Sequence, residues 1–96
     1  MKPSASECFA LITGASKGLG QSFALELAGK GKNLLLVSLP GEGLVAFADE
    51  LVSAYSISVF WYECDLAERD LAKCVAEWAS GYDVDVLINN AGTGGA

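Results

Sequence analysis

The sequence contains no histidine. Every catalytic triad that depends on histidine is therefore excluded, and so is the commonest general base of enzymes. Only three cysteines are present, Cys8, Cys64 and Cys74, and they form no Cys-x-x-Cys pair. Because zinc sites are built mainly from histidine and cysteine, we expect no metal site. We expect the cysteines to be reduced thiols that pack as small hydrophobic residues, which is typical of a cytoplasmic protein.

Basic residues are also scarce, since 6 lysines and arginines stand against 12 acidic residues and give a net charge of −6. Without a basic patch, nucleic acid and anionic membranes are poor partners for this chain. No apolar run approaches the roughly 18 residues that span a bilayer. Residues 1–7 do not resemble a secretory signal, and we expect residues 1–6 to form a flexible lead-in.

Short apolar runs alternate with stretches of helical periodicity along the 96 residues, a length that suits one small domain. Runs without polar alternation, such as residues 34–37, are typical of parallel strands buried on both faces. The predicted elements are strand 9–13, helix 19–29, strand 33–38, helix 44–55, strand 57–63, a helix that ends near residue 80, and strand 84–89. The predicted buried faces of the three helices are Leu19, Phe23, Ala24, Leu27 and Ala28; Leu44, Phe47, Ala48, Leu51 and Val52; and Leu71, Val75 and Trp78.

Helical connections between strands imply a parallel sheet, and right-handed crossovers restrict its topology. We expect an α/β fold of the Rossmann type, with four strands in the order 3-2-1-4 and three helices. The winding direction changes between strands one and four, and ligands of such sheets bind beyond the strand ends at that point. The glycine-bearing loops that follow these two strands should therefore meet across one crevice.

A glycine-rich stretch follows the first strand and consists of Thr13, Gly14, Ala15, Ser16, Lys17, Gly18, Leu19 and Gly20. Strand, glycine turn and helix in this order place a phosphate at a helix N-terminus, where N–H groups are unpaired. Gly14 is predicted to turn the chain, Gly18 to admit a pyrophosphate, and Gly20 to pack the helix tightly on the sheet. The spacing fits neither the Walker loop nor Gly-x-Gly-x-x-Gly. A glycine-rich turn without a ligand is the alternative.

The pattern Thr-Gly-x-x-x-Gly-x-Gly resembles that of the short-chain dehydrogenase/reductase family. Two further motifs carry the same resemblance: Asn89-Asn90-Ala91-Gly92 at the end of strand four, and Asp65-Leu66 after strand three. The resemblance covers the chain from strand one to its last residue. It implies a cofactor-binding fold and the transfer of hydride between a nicotinamide dinucleotide and an alcohol or carbonyl compound.

The resemblance also implies roles for individual residues. Thr13 would bridge strand one to the amide of Ala91, and Asp65 has the alternative role of a helix cap. The implied cofactor contacts are Gly14, Ser16, Gly18 and Leu19 at the pyrophosphate and ribose, with Gly20 beside them; Asp65 and Leu66 at the adenine; and Asn89, Ala91 and Gly92 behind the adenosine ribose.

The choice between NAD and NADP depends on charge near the adenosine ribose. NAD usually requires a carboxylate at the end of strand two, but Ser38 and Leu39 stand there. Lys17 within the glycine loop suits the extra phosphate of NADP, or is a solvated lysine. The sequence therefore favours NADP over NAD.

The catalytic groups of the family are missing from these 96 residues. None of the three tyrosines is followed four residues later by lysine, so there is no Tyr-x-x-x-Lys. We expect a truncated, inactive cofactor-binding half of an oxidoreductase; a non-catalytic nucleotide-binding module and a self-associating fragment are the alternatives. Strand four, an apolar sheet edge in that case, should pair with a second copy to form a homodimer or larger species.

Overall fold

The computed structural model describes residues 8–16, 18–64 and 71–90. Its described strands form one parallel sheet in the order β3-β2-β1-β4, and three helices connect them. The predicted fold class and strand order are therefore confirmed. The elements in chain order are β1 (Phe9–Thr13), α1 (Gly18–Gly29), β2 (Asn33–Ser38), α2 (Leu44–Ala54), β3 (Val59–Glu63), α3 (Leu71–Ala79) and β4 (Val84–Asn89).

The two central strands are buried along their whole length. Successive side chains of a strand point to opposite faces, so the continuous apolar runs of β1 and β2 supply two separate cores. On one face Ile12 and Leu36 pack with α1 and α2. On the other, Leu11 and Leu35 pack with α3. Coverage of both faces explains why these strands carry no polar alternation.

The buried face of α1 differs in part from the predicted one. Ala24 and Ala28 are buried and Leu27 packs partly buried against the core, as predicted. Leu19 is 68% exposed and Phe23 is 37% exposed, however, and Gly20 is buried instead. Gly20, Ala24 and Ala28 follow one another at intervals of four and form a single line along the helix. Small side chains on that line allow the helix axis to approach the sheet closely, so the bulkier neighbours lie at the sides of the contact.

Helix α2 buries Leu44, Phe47, Ala48 and Leu51 as predicted, but Val52 is 45% exposed and its predicted burial is wrong. Residue 52 follows Leu51 by one position, a rotation of about 100° around the helix that carries it off the buried stripe. Of the predicted face of α3, Val75 is buried and Trp78 half-buried, while the Leu71 side chain lies outside the described part.

Strand β3 begins at Val59, two residues later than predicted. Ile57 is buried without joining the ladder, and the backbone N–H of Ser58 donates to the Asn33 Oδ1 at 2.9 Å. Farther along β3, the Tyr62 ring stacks on Trp78 at 5.4 Å between centroids. Desolvation raises the pKa of Tyr62, with smaller contributions from the charges of Cys74 and Cys64.

Candidate nucleotide-binding site

The loops after β1 and β4 are tied together at the point where the strand order reverses. Thr13 and Asn89 are partners in the register of the two strands. The Thr13 hydroxyl donates to the Asn89 Oδ1 at 3.0 Å, and one residue farther along the Asn90 side-chain amide donates to the Gly14 carbonyl at 3.2 Å. The two loops are thus adjacent and joined by hydrogen bonds between polar groups. The predicted bridge from Thr13 to Ala91 involves a residue outside the described part and stays a prediction.

At Gly20, helix α1 passes very close to the glycine loop. A Cβ atom built at Gly20 would lie 1.9 Å from the Gly14 carbonyl oxygen and 3.0 Å from the Asn90 Nδ2. No side chain fits such distances, because nonbonded carbon contacts are optimal at about 3.5–4.0 Å. The tight packing predicted at Gly20 is present, although the group it touches belongs to the loop rather than to the sheet.

Gly18 combines open space with a backbone shape that favours glycine. Its φ angle is +62°, and a Cβ atom placed there would meet no protein atom within 4 Å. It is also the first residue of α1, where the backbone N–H groups lack partners within the helix and the dipole is positive. The packing of the described residues therefore leaves space for a ligand beside Gly18, at the N-terminal end of the helix, which attracts anions.

Ser16 lies on the other side of the same loop and is buried. Its hydroxyl donates to the Glu42 Oε1 at 2.5 Å, while its carbonyl accepts from the Gln21 side chain at 3.5 Å. Glu42 stands between β2 and α2 and was missed by the sequence reasoning, which considered acidic residues only at the last positions of β2. A carboxylate in the loop after that strand was the available signal.

The remaining predicted site residues divide into two groups. Ser38 is 1% exposed and its hydroxyl donates to the Leu39 carbonyl at 3.0 Å, whereas Leu19 is largely exposed at the start of α1. The predicted residues that lie outside the described part of the chain are Lys17, Asp65, Leu66, Ala91 and Gly92.

Among residues 8–16, 18–64 and 71–90, no group of three or more acidic or cysteine side chains is placed to hold a metal ion. In the same ranges, no helix has both the length and the apolar character needed to cross a membrane. The described residues of the candidate site instead bring together a helix N-terminus, an open glycine and hydroxyl and amide groups. Such an arrangement can bind a phosphate-bearing nucleotide, and its described residues offer no acid/base pair for catalysis.

The family model of the short chain dehydrogenases matches residues 8–96. The chain belongs to the short-chain dehydrogenase family. The resemblance stated from the sequence motifs is therefore confirmed. Two curated family members illustrate the match. The very-long-chain 3-oxoacyl-CoA reductase of Meyerozyma guilliermondii is 40% identical over 86 residues, covering 88% of this chain and 25% of the reductase. The human 17-beta-hydroxysteroid dehydrogenase type 3 is 34% identical over 84 residues, covering 88% of this chain and 27% of that enzyme.

Solved structures of short-chain dehydrogenases superpose on the same part of the chain. A short-chain dehydrogenase from Sphingobium yanoikuyae, in complex with NADPH, gives a TM-score of 0.78 at 35% identity, covering 88% of this chain and 34% of the enzyme. The L-sorbose reductase from Gluconobacter frateurii, complexed with NADPH and L-sorbose, gives 0.80 at 32% identity, covering 91% and 34%. The chain spans about a quarter of the length of the curated relatives it matches.

Proposed function

We propose that the crevice binds a nicotinamide adenine dinucleotide, and that the chain is the cofactor-binding portion of an oxidoreductase. In such an enzyme, hydride passes between the nicotinamide and an alcohol or carbonyl compound. Family membership supports this proposal, as do the structural relatives that hold NADPH. The location of the crevice supports it too, since ligands of doubly wound sheets bind where the strand order reverses.

The observation that carries the proposal is the geometry at Gly18. A positive φ angle at the first residue of a helix, with no protein atom within 4 Å of the missing side chain, is what a pyrophosphate needs in order to reach backbone N–H groups. Gly31, Gly41 and Gly43 also combine a positive φ angle with open space. Gly18 differs from them because it follows β1, a strand next to the point where the strand order reverses. Gly14, Ser16 and Leu19 would line the pyrophosphate and ribose beside it, and Gly20 would allow α1 to lie close to the glycine loop.

The other cofactor contacts are proposed on the basis of the family pattern. Asp65 and Leu66 would hold the adenine, while Asn89, Ala91 and Gly92 would back the adenosine ribose. Asn89 suits this role because its side chain already accepts the Thr13 hydroxyl at the edge of the crevice. Ser38 is almost fully buried, so its contribution would be to the shape of the binding site rather than a direct contact.

Three finer points belong to the same proposal. NADP is favoured over NAD by the charge of Lys17 and by relatives that hold NADPH, and the ratio of the two dissociation constants tests this preference. A cytoplasmic location is proposed from the cysteine usage, and fractionation of cells that express the protein tests it. Catalysis would require the family's serine and Tyr-x-x-x-Lys, which these 96 residues lack, so we propose that they bind cofactor without turnover.

Self-association through β4 is also proposed. This strand is an edge of the described sheet, and its Leu87 is 64% exposed. Asp85 would oppose edge pairing by its charge. However, the Lys32 ammonium lies 2.5 Å from its carboxylate and offsets that charge. A second copy of the chain paired along β4 would cover the apolar side chains.

The proposed binding site is tested by comparing two substitutions of equal backbone cost. Gly18 and Gly31 both have positive φ angles and open space where a side chain would stand, but Gly31 lies in the turn after α1, at the other end of the helix. Alanine at either position costs about 1–2 kcal/mol of backbone strain. Titration with NAD and NADP should show binding weakened about tenfold or more by Gly18→Ala and within about twofold of the parent for Gly31→Ala. Equal affinities for the two folded variants would remove Gly18 from the site.

A further inference from the structure

Strand β3 is a second edge of the described sheet, at the opposite end from β4. It pairs with β2 in a register that runs without a shift from Val59 to Glu63. Natural edge strands are commonly protected against pairing with another chain by lysine, proline, a bulge or a charge. The sequence Val-Phe-Trp-Tyr-Glu carries a single charge, at its last position. By contrast, β4 contains Asp85 near its start and a register shift opposite Phe9 and Ala10. Of the two edges, β3 is therefore the less protected.

Aromatic side chains are exposed on both faces of β3. Phe60 is 43% exposed, although its ring centroid lies 5.3 Å from that of Tyr82 on the α3 side of the sheet. Trp61 is 40% exposed and lies on the other side, because its register partner Leu36 packs with α1 and α2. Burial of apolar surface is favourable in proportion to the area removed from water. A strand laid against β3 would thus cover apolar surface on both faces.

The backbone determines which groups of β3 are available at its open side. The Ser58 carbonyl accepts from a β2 N–H at 2.9 Å, and the Cys64 N–H donates to a β2 carbonyl at 2.8 Å. The even-numbered residues therefore turn their backbone groups toward β2. Since successive residues of a strand turn these groups to opposite sides, the outward-pointing N–H and C=O groups are those of Val59, Trp61 and Glu63.

An antiparallel copy of the same strand uses all of these outward groups at once. When Trp61 lies opposite Trp61 of a second copy, Val59 lies opposite Glu63, and each such pair exchanges two N–H···O=C hydrogen bonds. Phe60 then lies opposite Tyr62 in the closer, non-hydrogen-bonded type of pair, in which side chains meet most directly. The strand is thus complementary to itself in backbone groups and in aromatic side chains.

The charge on β3 favours the antiparallel arrangement over a parallel one. In a parallel pair in register, the two Glu63 carboxylates would be neighbours, and like charges opposite each other destabilise a sheet. In the antiparallel pair each Glu63 lies opposite the buried, apolar Val59. The two carboxylates are then about 13 Å apart along the strand direction, which exceeds the Debye length of about 8 Å at physiological salt.

We infer that β3 is a docking edge for β3 of a second copy of this chain, through a two-fold antiparallel pairing centred on Trp61. Two five-residue strands bury less area than the roughly 1,200 Å² at the lower limit of stable interfaces, so the dimer belongs to the weak, transient class. Each copy has a net charge of −6, and salt screens the resulting repulsion. Salt therefore strengthens this dimer, whereas it would release a basic peptide docked on the same edge.

The test measures the mass of the whole chain by light scattering over a dilution series that reaches millimolar concentration. Trp61→Lys places like charges opposite each other across the two-fold axis and should weaken the dimer about tenfold or more. The matched control is Leu25→Lys, which adds the same charge at a similarly exposed apolar position on α1, 43% against 40%. It should leave the dissociation constant within about twofold of the parent. Trp61→Thr, which keeps a β-branched residue in the strand, should also weaken the dimer and serves if the lysine variant does not fold.

A mixture of Trp61→Lys and Trp61→Glu tests the two-fold register itself. Residue 61 faces its own copy in this register, so each variant alone opposes like charges while the mixture pairs opposite ones. At low salt and equal total concentration, the mixture should therefore have a higher average mass than either variant alone. A mixture whose mass is the mean of the two would overturn the pairing of residue 61 with itself.

Salt and the second edge provide the remaining controls. Association of the parent should increase with added salt, and association that salt abolishes would overturn the pairing of like-charged copies. Folded Trp61→Lys and Trp61→Thr variants that associate as tightly as the parent would overturn the role of β3. Loss of association in Leu87→Lys alone would place the interface at β4 instead. A parent that stays monomeric at millimolar concentration would also overturn the inference.

Discussion

The contact at Gly20 allows the structure to be tested without any ligand. Replacement of Gly20 by alanine puts a methyl group 1.9 Å from the Gly14 oxygen and 2.7 Å from the Gly14 carbonyl carbon. Both are backbone atoms, so no flexible side chain can move aside. Ordinary van der Waals contact begins near 3.4 Å, and α1 and the loop must therefore separate by about 1.5 Å. Separation of that size also opens the packing of Ala24 and Ala28, which lie on the same line of the helix.

The expected cost is the balance of two terms. Overpacking costs about 1–3 kcal/mol, while alanine in place of glycine within a helix stabilises by up to about 1 kcal/mol. Since the clash is with backbone, we expect the free energy of unfolding to fall by about 2 kcal/mol for Gly20→Ala. For a chain of this size that corresponds to a urea midpoint lower by about 1 M.

Gly29→Ala is the matched control, because it lies in the same helix and a methyl group at that position would meet only the Tyr55 ring, at 3.9 Å. Gly29→Ala should leave the free energy of unfolding unchanged or raise it by up to about 1 kcal/mol, so its urea midpoint should be equal to or above that of the parent. Unfolding is followed by circular dichroism of both variants and the parent. If Gly20→Ala were as stable as Gly29→Ala, the close approach of α1 to the glycine loop would be refuted.

Two further predictions concern turnover and assembly. The 96 residues alone should not oxidise NADPH or NADH with ketones, because they lack the Tyr-x-x-x-Lys pair; cofactor oxidation above a buffer blank that depends on added ketone would contradict this. Leu87→Lys should reduce self-association, because it places a charge on the exposed edge strand β4. Light scattering across a dilution series measures the mass, and a parent that is monomeric at every concentration would exclude the homodimer.

The strands could be predicted because their boundaries are marked by residue type. Strands β1, β2 and β4 begin and end where predicted, since each is a short apolar run between polar or glycine residues. The start of β3 was placed too early because Ile57 is β-branched and buried like a strand residue. The pairing of β3 with β2 starts only at Val59, and just before it the Ser58 N–H bonds to the Asn33 side chain. This contact joins residues that are 25 positions apart, so local sequence does not reveal it.

The face of α1 could not be predicted from periodicity alone. Leu19 and Phe23 were predicted to be buried because they are apolar and have helical spacing. In the structure they are exposed, and the buried line consists of Gly20, Ala24 and Ala28. Only a residue without a side chain fits beside the Gly14 carbonyl, and Gly20 is the residue of α1 that lies there. For α1, the apolar pattern therefore locates the helix and two of its buried residues, Ala24 and Ala28, but sets the rotation of the helix only approximately.

The site shows a similar division between local pattern and tertiary placement. The glycine loop and the crevice between β1 and β4 follow from local spacing and from the topology of parallel sheets. The approach of Glu42 to Ser16 does not, because it depends on the path of a turn flanked by two glycines with positive φ angles. Sequence reasoning that stops at the last residue of a strand misses a side chain that a turn brings back.

Two glycines in the first turn of α1 serve different purposes, one in folding and the other in the proposed binding. Gly20 touches the Gly14 carbonyl, to which the Asn90 amide also donates, so one point joins α1 to the loops after β1 and β4. Gly18, two residues earlier, has no protein atom near its missing side chain. A substitution at Gly20 should therefore lower the stability of the protein first. Gly18→Ala should weaken cofactor binding more than Gly31→Ala does, although both substitutions carry the same backbone strain. Because the two positions lie on the same turn of α1, measurement of both quantities for both variants distinguishes a loop built for a ligand from one that only packs.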